Sequence, residues 1–123
     1  MRVNIKPMGA VRSTQNGYWK PNVRRYQQYK NDIRQALPNY ELTEKVYLVF
    51  YLEMPKSWSE KKKVLMDDKP HQQKPDLDNL IKGVLDALAP VRASGKGVDD
   101  SHVHSIRAEK LWARESYFEI VEL

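Results

Sequence analysis

The sequence contains no cysteine. That excludes a disulfide framework, a thiolate nucleophile and every cysteine-based zinc site. It also lacks any apolar run approaching the roughly 18 residues of a membrane-spanning helix. Met1-Arg2-Val3-Asn4-Ile5-Lys6 does not open a signal peptide. Internal repeats and low-complexity linkers are missing as well. These absences lead to the expectation of a soluble cytoplasmic protein with no membrane partner. What is present is 123 residues, 41% of them hydrophobic. That length fits a single domain over residues 1–123, with a core of about three or four strands and two or three helices.

The charge is unevenly divided. Residues 1–75 hold 15 Lys and Arg against 7 Asp and Glu, whereas residues 76–123 hold 6 against 9. A basic front can neutralise phosphates and release counterions, and clustered carboxylates in an acidic back can hold divalent cations. Such asymmetry also arises in soluble proteins with no nucleic-acid partner.

Hydrophobic spacing predicts the elements. Residues 1–6 alternate as a short first strand, and residues 7–21, with Pro7, Gly9, Gly17 and Pro21, read as an exposed loop. A helix is expected from Asn22 or Val23 to Leu37, with Tyr26, Tyr29, Ile33 and Leu37 on one face and Arg24 and Arg25 on another. That basic face is either simply solvated or set against phosphates. Residues 44–54 form the clearest strand, apolar at both parities and so covered on at least one side. Ser57-Trp58-Ser59-Glu60 fits a capping box for a short helix through Met66, whose lysine run reads as a solvated face. Residues 67–75 look like a mobile loop. The last 20 or so residues predict two strands joined near Arg114-Glu115-Ser116. In the first of them the parities of Val103 and Ile106 disagree, which calls for a bulge or a shifted boundary. His102 and His104 would share one strand face, but with only His71 elsewhere a zinc site is the weaker reading. Trp19, Trp58 and Trp112 can stack on bases or pack in the core.

The chemistry concentrates in Pro75-Asp76-Leu77-Asp78-Asn79-Leu80-Ile81-Lys82-Gly83-Val84-Leu85-Asp86-Ala87-Leu88. Apolar residues at 77, 80, 81, 84, 85 and 88 make an amphipathic helix, with Asp78, Lys82 and Asp86 on its opposite side. Asp76 sits at the N-cap position. Capping, the helix dipole and ordinary i, i+4 pairing can account for these charges. A second pair, Asp99-Asp100, follows Gly95-Lys96-Gly97. Carboxylates about 5 Å apart repel by roughly 3 kcal/mol at an effective dielectric near 20. A cluster of them is therefore best explained by a cation, and oxygen-only ligands suit Mg²⁺. Lys82 could contact a scissile phosphate or merely pair with Asp78 or Asp86.

The run Asp-Leu-Asp-Asn-Leu-x-Lys-x-x-x-Asp-Ala-Leu, then Gly-x-x-x-Asp-Asp, then a strand ending in a lysine, resembles the RusA family of Holliday-junction resolvases. The likeness is close over about residues 76–112, and Met8-Gly9-Ala10-Val11-Arg12 resembles a loop of the family's phage and Gram-positive branch. The resemblance implies an α+β fold, a small mixed or antiparallel sheet of about four strands with helices packed on it, assembled as a homodimer. It implies Mg²⁺ as cofactor, with Mn²⁺ able to substitute. Asp76, Asp78 and Asp100 would be the catalytic metal ligands, Asp99 an auxiliary acidic neighbour and Lys82 the essential lysine. The implied partner is branched double-stranded DNA, the implied activity paired symmetric cleavage of four-way junctions in recombination and repair, and the implied setting a bacterial or phage-encoded cytoplasmic protein. Arg12, Lys20, Arg24, Arg25, Lys74 and Lys110 are the candidate DNA contacts, from basic segments around 12–34 and 56–74 and the terminal lysine of the strand. Two other readings stay open: a metal nuclease preferring flaps or other branched DNA, and a non-catalytic basic nucleic-acid-binding module.

Overall fold

The computed structural model describes residues 1–12, 17, 20–89 and 100–121, without the side chain of Asp100. The elements run β1 (Arg2–Val3), α1 (Pro21–Ala36), β2 (Lys45–Glu53), α2 (Glu60–Met66), α3 (Leu77–Leu88), a 3₁₀ turn (Asp100–His102), β3 (Ser105–Ala113) and β4 (Tyr117–Val121). The sheet has four strands in the order β1-β4-β2-β3. It is mixed, with β2 parallel to β3 and β4 antiparallel to both β1 and β2. A parallel pair needs a long crossover, and α2 and α3 lie within the segment that provides it. The fold is therefore α+β, as expected. Among the described residues no helix is long and apolar enough to cross a membrane.

The core lies between one face of the sheet and the helices α1 and α3. In β2 the residues of one parity, Val46, Leu48, Phe50 and Leu52, are buried. They meet Phe118 and Ile120 of β4 in register, with Phe50 facing Phe118 and Leu48 facing Ile120. Tyr26, Tyr29 and Ile33 from α1 and Leu80, Val84 and Leu88 from α3 close the same cluster. On the opposite face of the sheet, Tyr51 stacks on Tyr117 at 4.4 Å, and Arg2 lies over Tyr117 at 3.7 Å.

Several expectations change. The first strand is only Arg2–Val3, because Ile5 already turns back to bond the Val3 carbonyl. Of the loop expected over 7–21, the first part is packed and not exposed: Pro7 is buried, and Met8, Ala10 and Val11 pack against the core, whereas Arg12 and Lys20 are exposed and residues 13–16, 18 and 19 lie outside the described residues. The cap of α2 is Ser59, whose hydroxyl accepts from the Lys62 amide, and not Ser57. Trp58 is instead taken up by Trp112, ring to ring at 4.8 Å, while Lys62 lies over its ring. Residues 67–75 are not a free loop, since Asp68 N–H, His71 N–H and the Lys69 carbonyl bond the outer edge of β3 at Trp112 and Lys110. This covers a sheet edge that would otherwise be unpaired. The parity conflict resolves as a shifted boundary: β3 starts at Ser105 and leaves Val103 outside. His102 therefore ends the 3₁₀ turn and His104 precedes the strand, so the two do not share a strand face.

Candidate functional site

Helix α3 carries the acidic motif, and its two ends treat their carboxylates differently. Asp76 is the N-cap residue in extended conformation, yet its side chain makes no capping hydrogen bond. Asp78, in the first turn, accepts the neighbouring Asn79 amide at 2.9 Å and, among the described residues, no other hydrogen bond. Both are exposed, and among the described residues neither has an ion-pair partner. Capping therefore does not account for Asp76. The positive end of the helix dipole favours negative charge at both positions without consuming their oxygens.

Asp86, two turns further on, is tied down. Its Oδ2 accepts from the Tyr26 hydroxyl at 2.7 Å, and its Oδ1 lies 3.8 Å from Lys82 Nζ. Burial, the hydrogen bond to Asp86 and its negative charge together push the Tyr26 phenol well above its ordinary value. Arg34 donates to the Asp86 and Ala87 carbonyls, where the negative end of the helix dipole attracts a cation. Lys82 is two-thirds exposed, and at 3.8 Å its pair with Asp86 is loose. An exposed i, i+4 pair of this kind holds a lysine by only about 0.3–0.5 kcal/mol, so its ammonium can reach other anions.

Two clamps position the start of α3, and neither was legible in the sequence. Lys110, on β3, donates to the Gln73 and Pro75 carbonyls at 2.6 and 2.8 Å. It thereby fixes the segment, with its cis Lys74-Pro75 peptide, that delivers Asp76. Asn79 grips the front loop from the other side: its Nδ2 donates to the Ala10 carbonyl at 3.2 Å, and its own carbonyl accepts from Ala10 N–H at 3.1 Å. The approach leaves no room for larger residues. A Cβ at Gly9 would come within 2.8 Å of Asn79 Nδ2, and one at Gly83 within 2.9 Å of the Met8 carbonyl. These contacts draw the front loop, which leads to exposed Arg12, along α3. Asn79 stands inside the acidic motif, but its partner is 69 residues away in sequence.

The basic candidates lie where solvent reaches them. Lys20, Arg24 and Arg25 are exposed at the start of α1, and Lys74 is exposed beside Asp76. Lys110 has two of its three ammonium protons committed to carbonyls. Trp112 is buried and carries His71 against its ring at 4.2 Å, so it is a core residue. Burial and the nearby Lys110 ammonium hold the His71 pKa below its ordinary value. Trp19 and Asp99 lie outside the described residues, as does the side chain of Asp100. Among the described residues no group of three or more acidic or histidine side chains is placed to hold a metal. Of the candidate site residues, the structure thus describes Asp76 and Asp78 at the start of α3, with Lys82 one turn along.

A search of curated proteins gives no match to the chain. The family model for Endodeoxyribonuclease RusA, by contrast, matches residues 4–121, nearly the whole sequence and both halves of the fold that frame Asp76 and Asp78. This match makes the chain a member of the RusA endodeoxyribonuclease family and places its activity among the nucleases.

Proposed function

We propose that this chain is a Mg²⁺-dependent endonuclease that acts as a homodimer of single-domain subunits and resolves four-way DNA junctions by paired symmetric cleavage. The observation that carries the reading is the openness of Asp76 and Asp78, two exposed carboxylates at one helix start: Asp76 makes no capping bond, Asp78 gives one oxygen to the Asn79 amide, and among the described residues neither has an ion-pair partner. Their donor chemistry fits Mg²⁺, which takes a few carboxylate oxygens and keeps the rest of its shell for water and phosphate. Asp76 and Asp78 would hold the ion together with Asp100, and Asp99 would add negative charge beside it. When bound, Mg²⁺ (or Mn²⁺ in its place) shields the phosphodiester charge and lowers the pKa of an attacking water.

The chain's own residues do the rest. Lys82, one helical turn from Asp78, swings from its loose contact with Asp86 to the scissile phosphate and stabilises charge developing there. Lys110 and Asn79 keep the start of α3 in place, so the carboxylates need no rearrangement when substrate arrives. Arg12, Lys20, Arg24, Arg25 and Lys74 contact backbone phosphates, which sets the register of the DNA without reading its sequence. The remaining ammonium proton of Lys110 is available to a phosphate beside the same loop. A four-way junction has approximate two-fold symmetry, and a C2 dimer presents one carboxylate site to each of two opposed strands.

The test is cleavage of a labelled synthetic four-way junction, with Mg²⁺ or EDTA, by the wild type and by Asp78→Asn. Paired Mg²⁺-dependent nicks on opposed strands are expected from the wild type. Loss of roughly 100-fold or more of that activity is expected in the variant, since a metal's charge stabilisation amounts to several kcal/mol. Junction binding should persist in Asp78→Asn. Binding by the wild type without any cleavage would contradict the reading, and so would preferential cutting of flaps.

A further inference from the structure

A cleft of about 320 Å³ opens where β2 ends, walled by Leu52, Glu53 and Met54 and by segments that converge there from three other parts of the chain. Its polar lining is lopsided. Lys6, Lys56 and Lys74 face it against a single carboxylate, Glu53. All three lysines are exposed, and among the described residues none has an ion-pair partner. The back of the cleft holds His71, only 6% exposed, whose Nδ1 is buried with no hydrogen-bond partner among the described residues. Ser116 Oγ accepts the Glu53 amide at 3.0 Å, which leaves its hydroxyl proton free to donate. Gathered like charges repel, and a buried unpaired ring nitrogen is costly. An anion in the cleft would relieve the crowding of the lysines and accept the serine proton.

The position of the cleft says which anion. Lys74 and Pro75 belong to its wall, and the next residue is Asp76. The Lys110 clamp on the Pro75 carbonyl fixes one to the other. It also lies off the carboxyl end of a strand in a parallel pair, the usual place for ligands in open sheets with parallel strands. DNA carries a phosphate about every 3.4 Å of axis along each strand. A strand with one phosphate at Asp76 and Asp78 must therefore lead others past the neighbouring surface. Resting on the nuclease reading above, we propose that this cleft binds a backbone phosphate of the cleaved strand, adjacent to the scissile one, through Lys6, Lys56, Lys74 and the Ser116 hydroxyl.

The test is the salt dependence of junction binding in the non-cutting Asp78→Asn protein, with and without Lys6→Gln and Lys56→Gln together. Losing one neutralised phosphate should flatten the slope of log K against log salt by about 0.9. Glu53→Gln in the same background should instead tighten binding several-fold, an effect that a structural role for the cleft would not produce. Melting temperature checks that each variant is folded. An unchanged slope together with unchanged affinity in Glu53→Gln overturns the cleft assignment alone, whereas failure of the Asp78→Asn parent to bind any junction overturns it together with the reading it rests on. Titration with inorganic phosphate separates the two sources of the anion. Phosphate shifting the Ser116 and His71 resonances while the DNA slope stays unchanged would make this a free-anion site and overturn the proposal.

Discussion

The two ends of α3 carry the same residue type in opposite circumstances. Asp86 is anchored by the Tyr26 hydroxyl and approached by Lys82, and it ties α3 to α1. Asp76 and Asp78 are exposed and bind little of the protein, although the chain around them is clamped by Lys110 and Asn79. An aspartate that serves the fold is partnered. In the function proposed above, Asp76 and Asp78 are held through the backbone while most of their oxygens stay available to a ligand. Spacing put Asp78 and Asp86 on the same side of the helix, and only the structure shows that Asp86 is partnered and Asp78 exposed.

Substitutions at the two ends of α3 and on its inward face test this contrast. The largest effect on stability is expected from the inward face of α3: Leu80 is fully buried, and Leu80→Ala should cost about 2–5 kcal/mol in denaturant unfolding. A loss below 1 kcal/mol would mean that α3 does not organise the core. Lys82→Ala should reduce junction cleavage by about 100-fold, as for loss of a charge-stabilising donor. Its melting temperature should scarcely move, because an exposed i, i+4 pair contributes only about 0.3–0.5 kcal/mol. Equal cutting by this variant and the wild type would reassign Lys82 to the Asp86 pair alone. Tyr26→Phe removes the bond to Asp86 and should cost about 1.5–3 kcal/mol while leaving cleavage within two-fold of wild type, a factor of two being about 0.4 kcal/mol.

The smallest effect concerns His71. Its pKa is lowered in the fold by burial first and by Lys110 second, so the unfolded chain binds the proton more readily. Stability should therefore be complete above the ordinary histidine value of about 6.5 and decline as pH falls through it toward the lower folded value. Melting curves between pH 7 and pH 5 for wild type and His71→Gln check this: the variant should lose less on acidification. An identical decline in both would place the acid sensitivity elsewhere.

Much of this architecture was legible because it rests on local periodicity. The apolar spacing of Tyr26, Tyr29 and Ile33, of Leu80, Val84 and Leu88, and of Phe118 and Ile120 predicted faces that are buried in the structure. The contacts that sequence did not reveal are non-local. The pairing of residues 68–71 with the edge of β3 uses backbone groups, which leave no side-chain pattern to read. Ser57 and Ser59 are both good caps, and the choice between them follows from where Trp58 meets Trp112. The insertion of β4 between β1 and β2 is likewise set by core packing across the sheet. At the site, Asp76 and Asp78 stood out in the motif, but Asn79 and Lys110 gained their clamping roles only through partners 69 and 35 residues away.

The most direct test of this division of labour compares Asp78→Asn with Asp86→Asn on the same junction, reading Mg²⁺-dependent cleavage and melting temperature for each. Asp78→Asn is expected to abolish the cuts with its melting temperature kept, and Asp86→Asn to melt earlier but still cut. Cleavage surviving in Asp78→Asn, or lost equally in a folded Asp86→Asn, would contradict that division.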